Sequence, residues 1–156
     1  MKSYIQAAAL GLALATATVT GALAAGVEIN STTTGLALRG YDPVSYFQDG
    51  PKEGLVDIVA VHEDATYRFV SEANKKTFVA DPASYTPAYG GYCAYGAALG
   101  YKFDGDPKLW KIVDEKLYLN LSPHVVDLWT KDISGNLEKS EEHWKTIKYV
   151  APSDLR

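Results

Sequence analysis

Two stretches of alternating residues, each broken by a pair of acidic residues, limit most what this chain can fold into. In VDIVAVHEDATYRFVS, Val56, Ile58, Ala60 and His62 alternate with Asp57, Val59 and Val61. Glu63-Asp64 then turns the chain into a return strand, where Tyr67 and Phe69 share a face. The runs LWKIVD and KLYLNLS repeat the plan, joined at Asp114-Glu115. A period of two places alternate side chains on opposite faces of a strand, and a short polar break between two such runs predicts an antiparallel hairpin.

Helix signals surround both hairpins. In GYDPVSYFQDG, Asp42 is placed to cap, Pro43 occupies the first helical position and Gly50 ends the turn. Ser71 predicts the start of a helix through about Ala80, closed by Asp81-Pro82, and a second short segment spans Pro82 to Tyr85. Tyr92 to Leu99 predicts two helical turns stopped by Gly100, after a turn at Gly90-Gly91. Pro123 to Trp129 and Leu137 to Ile147 read as helices, with Trp129, Trp144 and Ile147 as core anchors. The order implies an α+β fold: a small antiparallel sheet of two hairpins, packed with several short helices. No internal repeat or low-complexity tract is visible.

The N-terminus predicts export. Lys2 precedes a long uncharged run, AAALGLALATATVTGALAA, which ends in the small-x-small pattern Ala22-Leu23-Ala24. The run is rich in Ala, Gly and Thr rather than in Leu, Ile and Phe, so residues 1–24 are expected to be a cleaved signal peptide. No stable membrane span is expected afterwards, and the location is periplasmic or secreted. Residues 25–39 read as a flexible leader, and 40–150 as a single domain. The formal charge of −4 becomes −5 once Lys2 is lost. Such mild acidity argues against a nucleic-acid partner, because binding by counterion release needs a basic face.

An exported chain meets oxidants, and Cys93 is this chain's only cysteine. It sits in YGGYCAYG, where a helix would put Gly96, Ala97 and Gly100 on its face, a strip that permits close approach. Three readings follow. Cys93 is a small packing residue, or half of an intermolecular bridge, or a thiolate favoured by the first turn of a helix. In the third reading it could ligate a metal, hold a small ligand or undergo redox chemistry. His124 follows Ser122-Pro123 at a helix start, where an imidazolium is disfavoured; it is either a surface residue or a neutral ring able to join Cys93 on a metal. His62 and His143 read as strand and helix surface residues. Tyrosine is in excess, with eleven residues. These fill a core or line an aromatic pocket, with Tyr41, Tyr46 and Tyr92 as candidate walls and Cys93 at the base. Catalytic motifs are lacking: there is no GxSxG, HExxH, phosphate loop or Cys-x-x-Cys.

The segments GYDPVSYF, SEANKKTFVADPASY, YGGYCAYGAALG and DPKLWKIVDEKLYLNLS, in this order, resemble YHS-domain proteins, and more closely their exported stand-alone members. The resemblance runs from about Gly40 to Trp144. It implies a binding domain, in the wider family for a metal such as copper held by cysteines, and the lack of catalytic motifs favours a non-enzymatic role while leaving an enzyme open. This chain has Ser45, Val70 and Asn74 at the positions where that pattern carries cysteines. The function expected is therefore a YHS-type domain holding a small ligand, or copper or another transition metal, near Cys93. The alternatives are a ligand-free structural or protein-interaction module and a thiol-dependent redox protein.

Overall fold

The computed structural model describes residues 27–155; the expected signal peptide lies outside the described residues. Among the described residues, two antiparallel hairpins and five α-helices form the α+β fold that the periodicity implies. The first hairpin joins β1 (Leu55–His62) to β2 (Ala65–Phe69), and the second joins β3 (Asp106–Val113) to β4 (Lys116–Asn120). Each is a separate two-stranded sheet rather than part of a common one. Both turns are two-residue turns with both central residues left-handed: Glu63 and Asp64 at φ 48° and 59°, Asp114 and Glu115 at φ 48° and 61°. That geometry matches the right-handed twist of the flanking strands.

The helices are α1 (Glu72–Ala80), α2 (Pro82–Tyr85), α3 (Ala94–Ala98), α4 (Pro123–Thr130) and α5 (Ile133–Ile147). The side chains of Ser71, Ser122 and Asp132 accept the amide N–H three residues on and so cap α1, α4 and α5. The Asp132 cap starts α5 before the expected Leu137. The Asp42–Pro43 signature opens a short 3₁₀ turn, Ser45–Phe47, instead of a full helix.

These elements form two copies of one unit, a repeat that the sequence does not show. Elements of the second half lie 51 residues after those of the first: Leu55 and Asp106 begin β1 and β3, and Ala65 and Lys116 begin β2 and β4. Ser71 and Ser122 cap α1 and α4. The register matches as well, since Leu55 pairs with Phe69 and Val59 with Arg68, while Asp106 pairs with Asn120 and Trp110 with Leu119. A bulge interrupts both ladders at the same place. The isolated bridges Tyr41–Glu53 and Tyr92–Asp104 keep the same spacing.

Only six positions between 38–82 and 89–133 carry the same residue, and each has a backbone or packing reason. Gly40 and Gly91 hold φ of 87° and 83°. At Gly54 a Cβ would lie 2.5 Å from Cβ of Arg68, and at Gly105 it would lie 2.8 Å from Cβ of Leu119, the equivalent residue. Tyr41 and Tyr92 form the matching bridges. Tyr67 stacks on Phe78 at 4.8 Å, as Tyr118 does on Trp129 at 5.7 Å. Ser71 and Ser122 are caps, and Asp81 and Asp132 share φ/ψ of −151°/75° and −150°/75°.

Strand β4 ties the halves together. Leu117 and Leu119 face one core with Val44, Tyr46, Tyr67, Phe69 and Phe78, while Tyr118, between them, faces another with Tyr89, Ala94, Ala97 and Trp129. Residues 27–39 are not the flexible leader expected from their polarity. Ile29, Ala37 and Leu38 are buried, Asn30 N donates to Gly90 O at 2.9 Å, and Ala37 N donates to Thr66 O at 2.9 Å. Nearby, Lys102 is 4% exposed, and its Nζ donates to the carbonyls of Val27, Lys148 and Val150 at 2.6, 2.6 and 2.9 Å. That one ammonium fastens the start of the described chain to its C-terminal end.

Candidate functional site

Cys93 is sealed in the interior, 1% exposed. It is the N-cap of α3 rather than a member of its first turn, and Sγ accepts the Gly96 N–H at 3.4 Å. The thiol donates to Asn120 Oδ1 at 3.6 Å. Of the three readings this favours the packed thiol over the activated thiolate: burial pushes the thiol up, and the amides of Gly96, Leu121 and Tyr95 offset this only in part. The repeat explains the residue. Its counterpart is Asp42, fully buried, whose Oδ1 accepts from Val44 N at 2.8 Å and Ser45 N at 3.3 Å, and whose Oδ2 accepts from Val70 N at 2.9 Å. Residues 44, 45 and 70 correspond to 95, 96 and 121. Cys93 thus stands where the first half has a capping carboxylate, and its surroundings are those of a cap.

The strip of small residues is approached closely, as its composition predicts, but by the chain itself. A Cβ at Gly96 would lie 2.9 Å from the Phe103 ring. On α5, Ser140 Oγ donates to Ala94 O at 3.1 Å, and His143 Nδ1 lies 3.3 Å from Ala97 O. His143 is accordingly half-buried, not a surface residue.

The other expected site residues do not gather at Cys93. Tyr92 is buried beside Trp144, with the Lys102 ammonium 5.2 Å from both ring centroids. Burial, and then Asp104, push its hydroxyl up to about 12. Tyr41 donates to Glu53 Oε1 at 3.2 Å in an exposed contact. His124 lies exposed on the first turn of α4. His62 sets its ring edge-on to Phe78 at 5.9 Å.

The donor set does not fit a soft-metal site. Ser45, Val70 and Asn74 do converge, but on Asp42: Asn74 Nδ2 donates to Oδ2 at 2.7 Å, and Ser45 Oγ donates to Asp42 O at 2.7 Å. Four donors saturate this carboxylate in a closed, buried network. Among the described residues no three His, Cys, Asp or Glu side chains are grouped to hold a cation, whereas a thiolate or imidazole cage needs several converging ligands.

Tyr46 leads elsewhere, to an open groove of about 730 Å³. The 3₁₀ turn contributes Tyr46, Phe47 and Gln48, α2 contributes Ser84 and Tyr85, and the second hairpin contributes Trp110, Ile112 and Glu115. Tyr46 and Trp110 meet edge to face at 5.5 Å, as Phe47 and Tyr85 do at 5.3 Å. Tyr46 is itself buried and donates to Pro107 O at 2.8 Å, which fixes β3 against the turn. Trp110 is 36% exposed, so ring surface faces solvent. Burial pushes the Tyr46 hydroxyl well up, with Tyr41 and the carboxylates of Asp106 and Asp42 adding to the effect.

Of this lining, sequence reasoning singled out Tyr46 alone. Trp110 and Ile112 lie two apart in an alternating run, which marks a shared face, but nothing local says what that face meets. Among the described residues no helix is long and apolar enough to cross a membrane. Comparison with protein-family models, with curated proteins and with solved structures returns no match.

Proposed function

We propose that this chain is an exported, non-catalytic binding domain of the YHS type, and that its ligand is a small organic molecule held in the aromatic groove, not at Cys93. The observation that carries this reading is the difference between the two halves. The groove residues Tyr46, Phe47 and Tyr85 correspond to Ala97, Ala98 and Asn136, and Trp110 corresponds to Val59. The repeated backbone therefore forms without aromatic residues at these four positions. Three of these rings, Phe47, Tyr85 and Trp110, stand partly open around the buried Tyr46, and they are equipment beyond what the scaffold demands. A few hundred Å³ lined by rings and a few polar groups is the usual make-up of a small-ligand site.

Cys93 then has a structural role as a cap, which accounts for an unpaired thiol in an exported chain: it is shielded from oxidants by burial. The test is a screen of small neutral and charged aromatic fragments by saturation-transfer NMR on the wild-type chain and on Trp110→Val. Hits that vanish in the variant support the reading. Hits unaffected by it, or none at all, overturn it.

A further inference from the structure

We propose that the groove takes an organic cation, an alkylammonium or quaternary ammonium group seated among Tyr46, Phe47, Tyr85 and Trp110 and balanced by the Glu115 carboxylate; this rests on the groove being the binding site. Three of its polar groups spend their donors inward. Tyr46 donates to Pro107 O at 2.8 Å, Gln48 Nε2 to Asn74 Oδ1 at 3.3 Å, and Ser84 Oγ to Asp81 Oδ2 at 2.6 Å. Glu115 adds a formal negative charge at the hairpin tip, and no Lys, Arg or His is among the lining residues. A surface of aromatic rings and one carboxylate repels anions and attracts a cation whose charge is spread over C–H groups, since such a cation gains from the ring quadrupole without needing strong acceptors.

The charge balance of the whole chain, −4, points the same way for encounter. The fold also holds an ammonium between rings elsewhere: Lys102 Nζ lies 5.2 Å from the centroids of both Tyr92 and Trp144. The groove offers the same ring chemistry with no resident cation among its lining residues.

The decisive comparison uses choline chloride and its neutral isostere 3,3-dimethylbutan-1-ol, titrated into the full chain by saturation-transfer NMR and tryptophan fluorescence. Choline is expected to bind saturably and at least about tenfold more tightly than the isostere. Glu115→Gln, a change at an exposed turn that leaves the core untouched, is expected to weaken choline several-fold and leave the isostere unchanged. Trp110→Val is expected to abolish both. Equal binding of the two probes, or choline affinity unmoved by Glu115→Gln, overturns the cation assignment while the groove stands as a binding site. Absence of binding by either probe overturns it too. Neutral fragments lost in Trp110→Val then separate that failure from failure of the groove as a site.

Discussion

Removing the Asp42 carboxylate tests the internal repeat and the account of Cys93 together. Asp42→Ala strands four buried donors: the amides of Val44, Ser45 and Val70 and the side chain of Asn74. Leaving a buried donor unsatisfied costs about 1–3 kcal/mol, and the four share relaxation, so the expected loss is about 4 kcal/mol. In a domain of this size that lowers Tm by about 12 °C. Asp42→Asn keeps one acceptor but turns an NH₂ toward Val70 N or Asn74, and about 2 kcal/mol is expected. At the counterpart the sulfur is only a weak acceptor from Gly96 N at 3.4 Å and a weak donor to Asn120 Oδ1 at 3.6 Å, so Cys93→Ala is expected to cost about 1–2 kcal/mol, as a lost cap does. Cys93→Ser, whose hydroxyl can accept from Gly96 and donate to Asn120, is expected to stay within about 1 kcal/mol of wild type. Urea denaturation followed by far-UV circular dichroism, at constant m-value, ranks the four variants. A Cys93→Ala loss equal to or greater than that of Asp42→Ala would refute the equivalence of two caps of unequal strength.

Other outcomes follow from the same geometry. Native Cys93 should resist iodoacetamide from pH 7 to 9 and react only on unfolding; rapid native alkylation, read by mass spectrometry, would restore the activated-thiolate reading. Burial brings Lys102 down to about 8. In ¹³Cε-lysine NMR one resonance should therefore titrate near pH 8. The unfolded chain, with a lysine near 10.5, binds more protons between these values, so this group's contribution to stability rises with pH across about 8–10.5. Lys102→Met should flatten that rise. Gly54→Ala and Gly105→Ala should each cost about 2 kcal/mol or more, because the added methyl meets the same facing residue in both hairpins; a neutral result at either would break the parallel.

Local signals were enough for most of the elements, the 3₁₀ turn at Ser45–Phe47 and the start of α5 excepted. The alternation around Glu63-Asp64 and Asp114-Glu115 and the caps at Ser71 and Ser122 depend on residues a few positions apart, and the strands and helices lie where those signals put them. Long-range meetings left no such mark. Tyr46 and Trp110 are 64 residues apart, and no periodicity says which hairpin covers which turn. The repeat is hidden because it survives only at backbone constraints, two glycine pairs, two bridging tyrosines, a stacked tyrosine and two kinds of cap, too thinly spread to register as similarity. Polar Asn30–Thr34 looked loose because its fastening is by main-chain bonds to Gly90 and Leu36, which composition does not encode. Sequence alone left Cys93 open between a packed thiol and an activated one for a related reason. A thiol at a helix start suggests activation, but here the same start is closed over by Asn120 and α5, so desolvation outweighs the amides.

The two halves serve as each other's control, and that supplies the sharpest test of where function lies. After the matched residues Asp81 and Asp132 the chain forms a four-residue α2 in the first half and a 15-residue α5 in the second. The long helix lies across α3 through Ser140 and His143, while the matching turn at 45–47 receives Trp110 from the other hairpin and keeps the groove beside it. Giving the groove its counterparts' residues, Phe47→Ala, Tyr85→Asn and Trp110→Val together, removes rings that are half-buried or 36% exposed, not core. At about 25 cal/mol per Å² for the partial area involved, the combined loss should be about 2–3 kcal/mol, a drop in Tm of under about 10 °C. The variant should therefore fold and bind nothing. A collapse as large as that of Asp42→Ala would instead make these three rings part of a core that the first half needs in place of a covering helix, and the proposed ligand site would fall with them.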